Sequence, residues 1–357
     1  MEVALYPACA LAHRTQVRLP STSKQMNEVT QMKLSQLKLL PAAAALAMLC
    51  AAGSAQAGAY AYSYDNIFGL TITNPTGIVT VASTTNISRS TSTLNGTSII
   101  NGGSGILDSP QAALGAVTKG ENDFTQQGPN GTFARGDAQI VSTQFPPFPP
   151  GATTTQAVNV AEAHLDSPGT ADASGRNGST TGFSVNFTVG SPTATLAFNF
   201  LANPFMQVFL NSDVGAGSSA TANLVVTFSI TDATGATVFN WSPDGVLGSG
   251  ITGGTETADG ANLNTNLSSN FLTRGSLFTY DPTGCGTPTG TGVGTACGGT
   301  FAALTNALTA GNYTLTLNAV ESVDLVKVAA VPEPGTLALL GLGLAGLCYS
   351  SRRKITA

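Results

Sequence analysis

The stretch Phe183-Ser-Val-Asn-Phe-Thr-Val189 alternates apolar and polar residues without interruption, and residues 193–200 continue the same pattern. Successive side chains of a β-strand point to opposite faces of the sheet, so this alternation predicts strands with one buried face. The pattern returns at residues 224–230 and 313–319. Residues 205–210 are more densely apolar, as expected of a strand that is buried on both faces. These runs predict an all-β fold.

Turn residues separate the apolar runs. Thr231-Asp-Ala-Thr-Gly235 places Asp and Gly between two runs rich in β-branched residues, which predicts a hairpin. Residues 301–308 are the best candidate for a short helix or a loop. Short strands separated by Gly, Pro, Asn and Asp predict an antiparallel β-sandwich. We expect it to be jelly-roll-like, because large antiparallel sheets protect their edges by doubling over.

The first half of the chain is less regular. Residues 60–73 and 78–81 predict opening strands, whereas the Ser/Thr/Asn/Gly tract at residues 83–105 is interpreted as loops or a poorly ordered insertion. Phe145-Pro-Pro-Phe-Pro-Pro150 predicts extended polyproline-like backbone. We therefore expect a β-sandwich over residues 58–330. Two alternatives stay open, a single domain or an irregular 58–150 lobe beside a 151–330 sandwich.

Residues 32–57 have the composition of a secretory signal peptide. Two lysines precede the apolar region at residues 39–52, and Ala55-Gln56-Ala57 supplies a cleavage site before Gly58. We therefore predict an N-terminal signal helix, export through the Sec machinery and a mature chain that begins at Gly58. Residues 1–31 place the signal too far from the terminus. We interpret them as a mis-annotated extension, with translation starting at the methionine that opens the signal.

The end of the chain combines a rigid motif, an apolar run and a basic cluster. The motif is Val331-Pro332-Glu333-Pro334, the run covers residues 337–349, and the cluster is Arg352, Arg353 and Lys354. At about 1.5 Å per residue the run reaches roughly 20 Å, against about 30 Å of bilayer hydrocarbon. It predicts a short C-terminal transmembrane helix that spans the membrane only marginally, with the cations on the cytoplasmic side.

In the order and spacing of these parts, residues 331–354 resemble the PEP-CTERM sorting signal of Gram-negative bacteria. The resemblance implies recognition by an exosortase, which is a membrane-embedded, transpeptidase-like protease. It further implies transient membrane insertion of the precursor and cleavage near the motif. The product would then be released or re-anchored at the cell surface, often together with exopolysaccharide. The alternative is an ordinary single-span tail anchor.

The charge balance argues against a nucleic-acid partner. Residues 58–330 hold 6 Lys and Arg against 16 Asp and Glu, a net charge of 6 − 16 = −10. Such a surface repels phosphate backbones. Charged residues are only 9% of the chain, and Thr, Ser, Asn and Gly supply most of its polar groups instead. This composition is typical of extracellular β-proteins.

Few residues of the body offer metal or catalytic chemistry. Cys285 and Cys297 are an isolated pair in a Gly-rich loop of an exported chain, which predicts a disulfide. A zinc site would need further His or Cys ligands, and His164 is the one histidine in residues 58–330. His164 follows Glu162 on an alternating run, so the two share a predicted sheet face. Catalysis by this pair is a weak alternative to a structural role.

The remaining acids and aromatic residues suit turns, glycans or the core. Four acids lie in turn-like contexts, most of them next to Gly or Ser: Asp213, Asp232, Asp244 and Asp259. Loop oxygens would suit calcium, but the spacing matches no EF-hand or nonapeptide pattern, so we predict no cofactor and no metal site. Trp241 ends a predicted strand, where it is either a glycan platform or a core residue. Tyr60, Tyr62 and Tyr64 alternate as an aromatic stripe on a predicted edge strand.

Together these features predict a non-enzymatic, exported protein of the cell surface or extracellular matrix. Its expected role is structural or adhesive within a biofilm-like exopolysaccharide layer. A carbohydrate-binding module is the alternative, and a secreted glycoside hydrolase is third. Hydrolysis would need two convergent carboxylates in a cleft.

Overall fold

The computed structural model describes residues 58–104, 108–115, 124–141, 155–286, 297–330 and 341–343. The strands lie within one compact unit, Gln56–Ala357. In the described residues there are 17 strands, numbered in chain order: β1 Ala59–Thr76, β2 Val79–Thr85, β3 Ile87–Leu94, β4 Thr97–Ser104, β5 Asp108–Gly115, β6 Phe133–Val141, β7 Thr155–Leu165, β8 Gly169–Ala202, β9 Phe205–Leu210, β10 Ser219–Asp232, β11 Thr237–Trp241, β12 Ile251–Thr252, β13 Gly254–Asp259, β14 Asn264–Asn270, β15 Leu277–Tyr280, β16 Gly299–Thr305 and β17 Leu308–Lys327.

The strands form two antiparallel sheets. In the first sheet, β1 lies between β7 and β9, β6 and β5 extend one side, and β15 pairs with β9. In the second sheet, β17 lies between β8 and β10, with β3 and β4 beyond β8 and β14 beyond β10. Strand β8 belongs to both sheets. Its last residues, 195–202, leave the second sheet and pair with β1 and β16.

The main core lies between the sheets and follows the predicted alternation. Along β10 every even-numbered residue from Ala220 to Ile230 is buried, and along β17 every odd-numbered one from Tyr313 to Leu325 is buried. Six aromatic rings pack together in this core, with neighbouring centroids 4.8 to 6.2 Å apart: Phe198, Phe200, Phe228, Phe239, Trp241 and Phe301. The prediction of an all-β, antiparallel fold is confirmed.

A second, smaller core lies on the outer face of the first sheet. Residues 124–132, which we call the strap, precede β6 and cover this face. Phe124 of the strap packs with Tyr60, Tyr62, Tyr64 and Phe205 in one buried cluster. The first sheet is thus covered on both faces, which explains why β1 is buried at every one of its first nine positions.

Two local predictions are wrong. Residues 83–105 contain the end of β2 and the whole of β3 and β4, where loops were expected. The buried positions of β3 are Ser88, Ser90 and Ser92, so its sequence carries no apolar alternation. Residues 301–308 belong mainly to β16 and open β17, where a short helix or loop was expected. The small Ala and Thr residues among the larger apolar ones obscure the period-two alternation of these strands in the sequence.

No helix among the described residues is long and apolar enough to cross a membrane. The predicted signal helix lies outside the described residues, as does the polyproline stretch at 145–150. Of the predicted C-terminal helix, only residues 341–343 are described, and they are helical and exposed.

Strands from both halves of the chain share the first sheet, because β1 pairs with β7, β8 and β9.

Candidate functional site

Glu162 and His164 lie on one face of β7, beneath the strap. The Glu162 carboxylate is fully buried and accepts hydrogen bonds from Tyr60 Oη at 2.8 Å and from the Gly128 amide at 2.8 Å. It also forms an ion pair with Arg135, whose Nη2 lies 2.6 Å from Oε2. These donors fix the strap to the sheet. The carboxylate therefore anchors backbone and is closed to a substrate.

His164 is equally enclosed. Its Nδ1 contacts the Gly131 carbonyl of the strap, and Asp166 Oδ1 lies 3.5 Å from the same nitrogen. The ring is 3% exposed and lies beside Tyr60 and Phe133. A buried histidine that contacts a backbone carbonyl is positioned to hold the strap, which is the structural role expected of it.

The aromatic candidates for glycan contact are buried. Tyr60, Tyr62 and Tyr64 lie on β1, a central strand, so the expected edge-strand stripe is wrong in its position. Trp241 ends β11 as predicted but is 0% exposed. Its ring packs 5.3 Å from Phe228, and its Nε1 donates to Glu256 Oε1 at 2.5 Å. Trp241 is a core residue, so the interpretation of it as a glycan platform is wrong.

The acids expected in turns do hold turns. Asp232 Oδ1 accepts from the Thr234 hydroxyl and the Ala236 amide, and the Thr234 hydroxyl lowers the pKa of Asp232. Asp259 Oδ2 accepts from the amides of Asp244 and Gly245 at 3.0 and 2.7 Å. Burial raises the pKa of Asp259 despite these bonds. These carboxylates organise loops: Asp232 holds its own turn, and Asp259, the last residue of β13, holds the turn that contains Asp244.

Groups of metal-ligating side chains are sparse among the described residues. Within the described ranges, no group of three or more His, Cys, Asp or Glu side chains is arranged to hold a metal ion. Cys285 and Cys297 are joined by a disulfide, with 5.8 Å between their Cα atoms, which is the pairing expected from the sequence. The bridge joins the segment that follows β15 to the segment that precedes β16.

Two further carboxylates are buried that were not predicted from the sequence. Asp65 on β1 and Glu321 on β17 are 1% and 0% exposed, and both point into the space between the sheets. Burial raises the pKa of Asp65 to about 7. Burial, together with the charge of Asp65, raises the pKa of Glu321 well above its ordinary value. Glu321 has a sequence signal, because it takes a position where the alternation of β17 predicts an apolar residue, whereas Asp65 is out of phase with the tyrosines of β1 and has none.

A polar cavity lies on the outer face of the second sheet. It has a volume of about 340 Å³ and opens between β2, β8, β17 and the β10–β11 turn. The polar side chains that line it are Asn186, Thr188, Asp232, Asn312 and Thr314. Thr188 donates to Asn312 and Thr314 donates to Asn186, each at 2.8 Å. The cavity therefore presents hydroxyl, amide and carboxylate groups to the solvent.

Comparison with known proteins identifies the C-terminal segment. Residues 330–354 match the family model of the PEP-CTERM protein-sorting motif. The match covers every residue of the predicted sorting signal, from Val331 to Lys354. No curated protein sequence matches the chain. One solved structure, that of the infectious bursal disease virus Gt strain, is 13% identical over 81% of this chain and 74% of its own, with a TM-score of 0.08, which is too low to support any argument.

The motif indicates an exported protein that is directed to an exosortase. It implies a precursor that is held transiently at the membrane before cleavage. The predicted signal-cleavage residues Ala55 and Ala57 lie outside the described residues, and Gly58 is the first residue that the structure describes.

Proposed function

We propose that this exosortase-directed chain is a structural, adhesive protein of the cell surface or extracellular matrix, embedded in an exopolysaccharide layer after export by the Sec machinery. The proposal rests mainly on one observation, the polar outer face of the second sheet. Cross-strand hydrogen bonds join its Ser, Thr and Asn side chains into a ladder. The bonded pairs are Ser83 and Asn186, Asn186 and Thr314, Thr188 and Asn312, Ser229 and Thr316, and Asn223 and Ser322.

A ladder of this kind suits a neutral polysaccharide. Hydroxyl and amide groups both donate and accept hydrogen bonds, as sugar hydroxyls do. Neighbouring strands lie about 4.8 Å apart, so the ladder repeats its polar groups at regular intervals along the face. Many weak contacts to one polymer add up through effective concentration, with no single tight site. Such a surface supports adhesion over its area.

Partition of the full chain into exopolysaccharide tests this role. Wild-type protein is expected to sediment with isolated exopolysaccharide and to be retained at high salt, because its contacts are uncharged. The Ser229→Ala/Thr316→Ala and Asn186→Ala/Asn312→Ala variants should each reduce the sedimented fraction. As a matched control, Thr71→Ala/Thr257→Ala removes exposed hydroxyls of the first sheet and should leave the fraction unchanged. Wild-type protein that stays in the supernatant would refute an adhesive role.

A carbohydrate-binding module is the second candidate, and the polar cavity favours it. Asn186, Asn312 and the Asp232 carboxylate converge there on a space of about 340 Å³, enough for one or two sugar rings. Against it, Phe187 and Tyr313 beside the cavity are 1% and 7% exposed and offer little aromatic surface for stacking. Glycoside hydrolysis is placed last, since the turn carboxylates Asp232 and Asp259 already hold backbone amides.

A soluble oligosaccharide separates the two candidates. A binding module should bind short glycans on an array saturably, lose them in Asn186→Ala/Asn312→Ala and keep them in Ser229→Ala/Thr316→Ala. An adhesive face should show no saturable binding of short glycans, and both pairs of changes should weaken its binding to the polymer.

A further inference from the structure

Three buried polar side chains meet between the two sheets without adequate hydrogen-bond partners. They are Asp65 on β1, Asn159 on β7 and Glu321 on β17, and none is more than 1% exposed. Five of their oxygens are buried and accept no hydrogen bond of good geometry: both of Asp65, both of Glu321 and Oδ1 of Asn159. Buried polar atoms are almost always paired, so five unpaired oxygens in one place call for a ligand.

The strand pairing brings the three side chains together. Asp65 and Asn159 are direct cross-strand partners, on the face of the first sheet that looks toward the second. Asn159 Nδ2 donates across the sheets to the Ala319 carbonyl at 3.2 Å. Glu321 follows Ala319 by two residues and so lies on the same face of β17. The Asn159 amide is close enough to lower the pKa of Glu321, and the charge of Asp65 acts on Glu321 as well.

Among the described residues, no cationic side chain shifts the pKa of either carboxyl group. The Asn66 backbone is the one group that lowers the pKa of Asp65, and the Asn159 amide and the backbone of Glu321 itself do so for Glu321. The charge of Asp65 helps to raise the pKa of Tyr64 and of Tyr280, and both are neutral phenols. Arg176 lies on β8 opposite Val320, the residue before Glu321, and its guanidinium donates to Asn318 Oδ1. Two buried carboxylates without a counter-ion are costly, because burial removes their hydration.

We propose that Asp65, Asn159 and Glu321 bind one calcium ion between the two sheets. The ligands are all oxygens, which calcium prefers, and two carboxylates balance its charge of two. Magnesium loses its water shell reluctantly and suits a dry, enclosed site less well. Zinc favours nitrogen and sulfur ligands, and these three side chains offer it no thiolate or imidazole. The ion would cross-link β1 and β7 to β17 in the middle of the fold.

The test measures the binding of calcium, added as the one metal ion, to the full chain. Protein unfolded in guanidinium with EDTA is refolded with or without calcium, because an enclosed site loads during folding. We expect one bound calcium ion per chain by atomic emission. At a calcium concentration 100-fold above Kd, the midpoint of thermal unfolding should rise by roughly 5–10 °C. Both effects should disappear in the isosteric Asp65→Asn/Glu321→Gln variant.

A surface control and an optical probe complete the test. Asp324→Asn removes an exposed carboxylate from β17 and should keep the calcium-dependent shift. Terbium, which substitutes for calcium, should emit on excitation of nearby tyrosines and be displaced by calcium, without any variant being needed. No terbium emission from wild-type protein, or an equal calcium shift in Asp65→Asn/Glu321→Gln, would overturn the proposal. Stability that depends on pH but not on calcium would assign the pair to a shared proton, and would also overturn it.

Discussion

Arg135 and Glu162 are direct cross-strand partners on β6 and β7, and they form an ion pair in which neither side chain is exposed. The same carboxylate accepts from the amides of Gln127 and Gly128. One buried acid thus ties together two strands and the strap that covers them. Burying such a pair costs hydration, and the cost is offset only while every partner is in place.

The first prediction concerns this acid. Glu162→Gln should lower the free energy of unfolding by about 3 kcal/mol, because it removes the carboxylate that is paired with the buried Arg135 guanidinium. It should also make the Gln127 and Gly128 amides exchange hydrogen at least ten times faster. Glu256→Gln is the matched control, since Glu256 is also buried but binds Trp241 and Gly248. Unchanged exchange at Gln127 and Gly128 in Glu162→Gln would show that the acid does not hold the strap.

The second prediction tests a close approach of β8 to β6 and β7. A Cβ at Gly175 on β8 would lie 2.1 Å from the Asp137 carbonyl oxygen and 2.6 Å from that of Val160. Both atoms are backbone and cannot move aside, so Gly175→Ala should cost about 3 kcal/mol of stability by guanidinium unfolding. Gly311→Ala on β17 is the control, because its nearest neighbour would be a tyrosine ring atom at 3.7 Å. Equal costs at the two positions would contradict the predicted tight packing.

The third prediction concerns pH. Asp172 and Asp324 are cross-strand partners on β8 and β17. Burial and the neighbouring Asp324 carboxyl raise the pKa of Asp172 from 3.8 to about 6. The folded chain therefore holds a proton that the unfolded chain releases, so this pair should lose stability as pH rises from about 4 to 6. Asp324→Asn should make that slope shallower, because the burial of Asp172 remains, and should raise the thermal midpoint at pH 7.5 by roughly 1–3 °C. An unchanged slope would mean that the two carboxyl groups do not interact.

The strands with apolar alternation could be predicted from the sequence, and those with polar buried faces could not. Phe187, Phe198 and Phe228 mark their strands because large apolar residues recur every second position. Strand β3 buries Ser88, Ser90 and Ser92 instead, and a period of two made of serine is indistinguishable from a loop.

The candidate sites were harder to predict because burial depends on tertiary neighbours. The sequence alternates in the same way whether Trp241 is exposed or buried. The packing of Phe228 against its ring is what shows that Trp241 is buried. Asp65 and Glu321 are far apart in the chain, so their meeting between the sheets has no local signal. The sorting motif at 331–354 was predictable since its parts are contiguous.

The central claim is that the chain is exported and then cut by an exosortase at its PEP-CTERM motif. Its apolar run is too short for a secure membrane span, and Pro332 and Pro334 prevent a helix from extending it upstream. From the sequence we expect the Pro-Glu-Pro stretch to be extended and to offer its backbone to a membrane protease. Intact mass spectrometry of the protein from its native cell surface measures both ends at once. We predict a chain that begins at Gly58 and ends near the motif, without Arg352, Arg353 and Lys354; a surface protein that still ends at Ala357 would contradict the account.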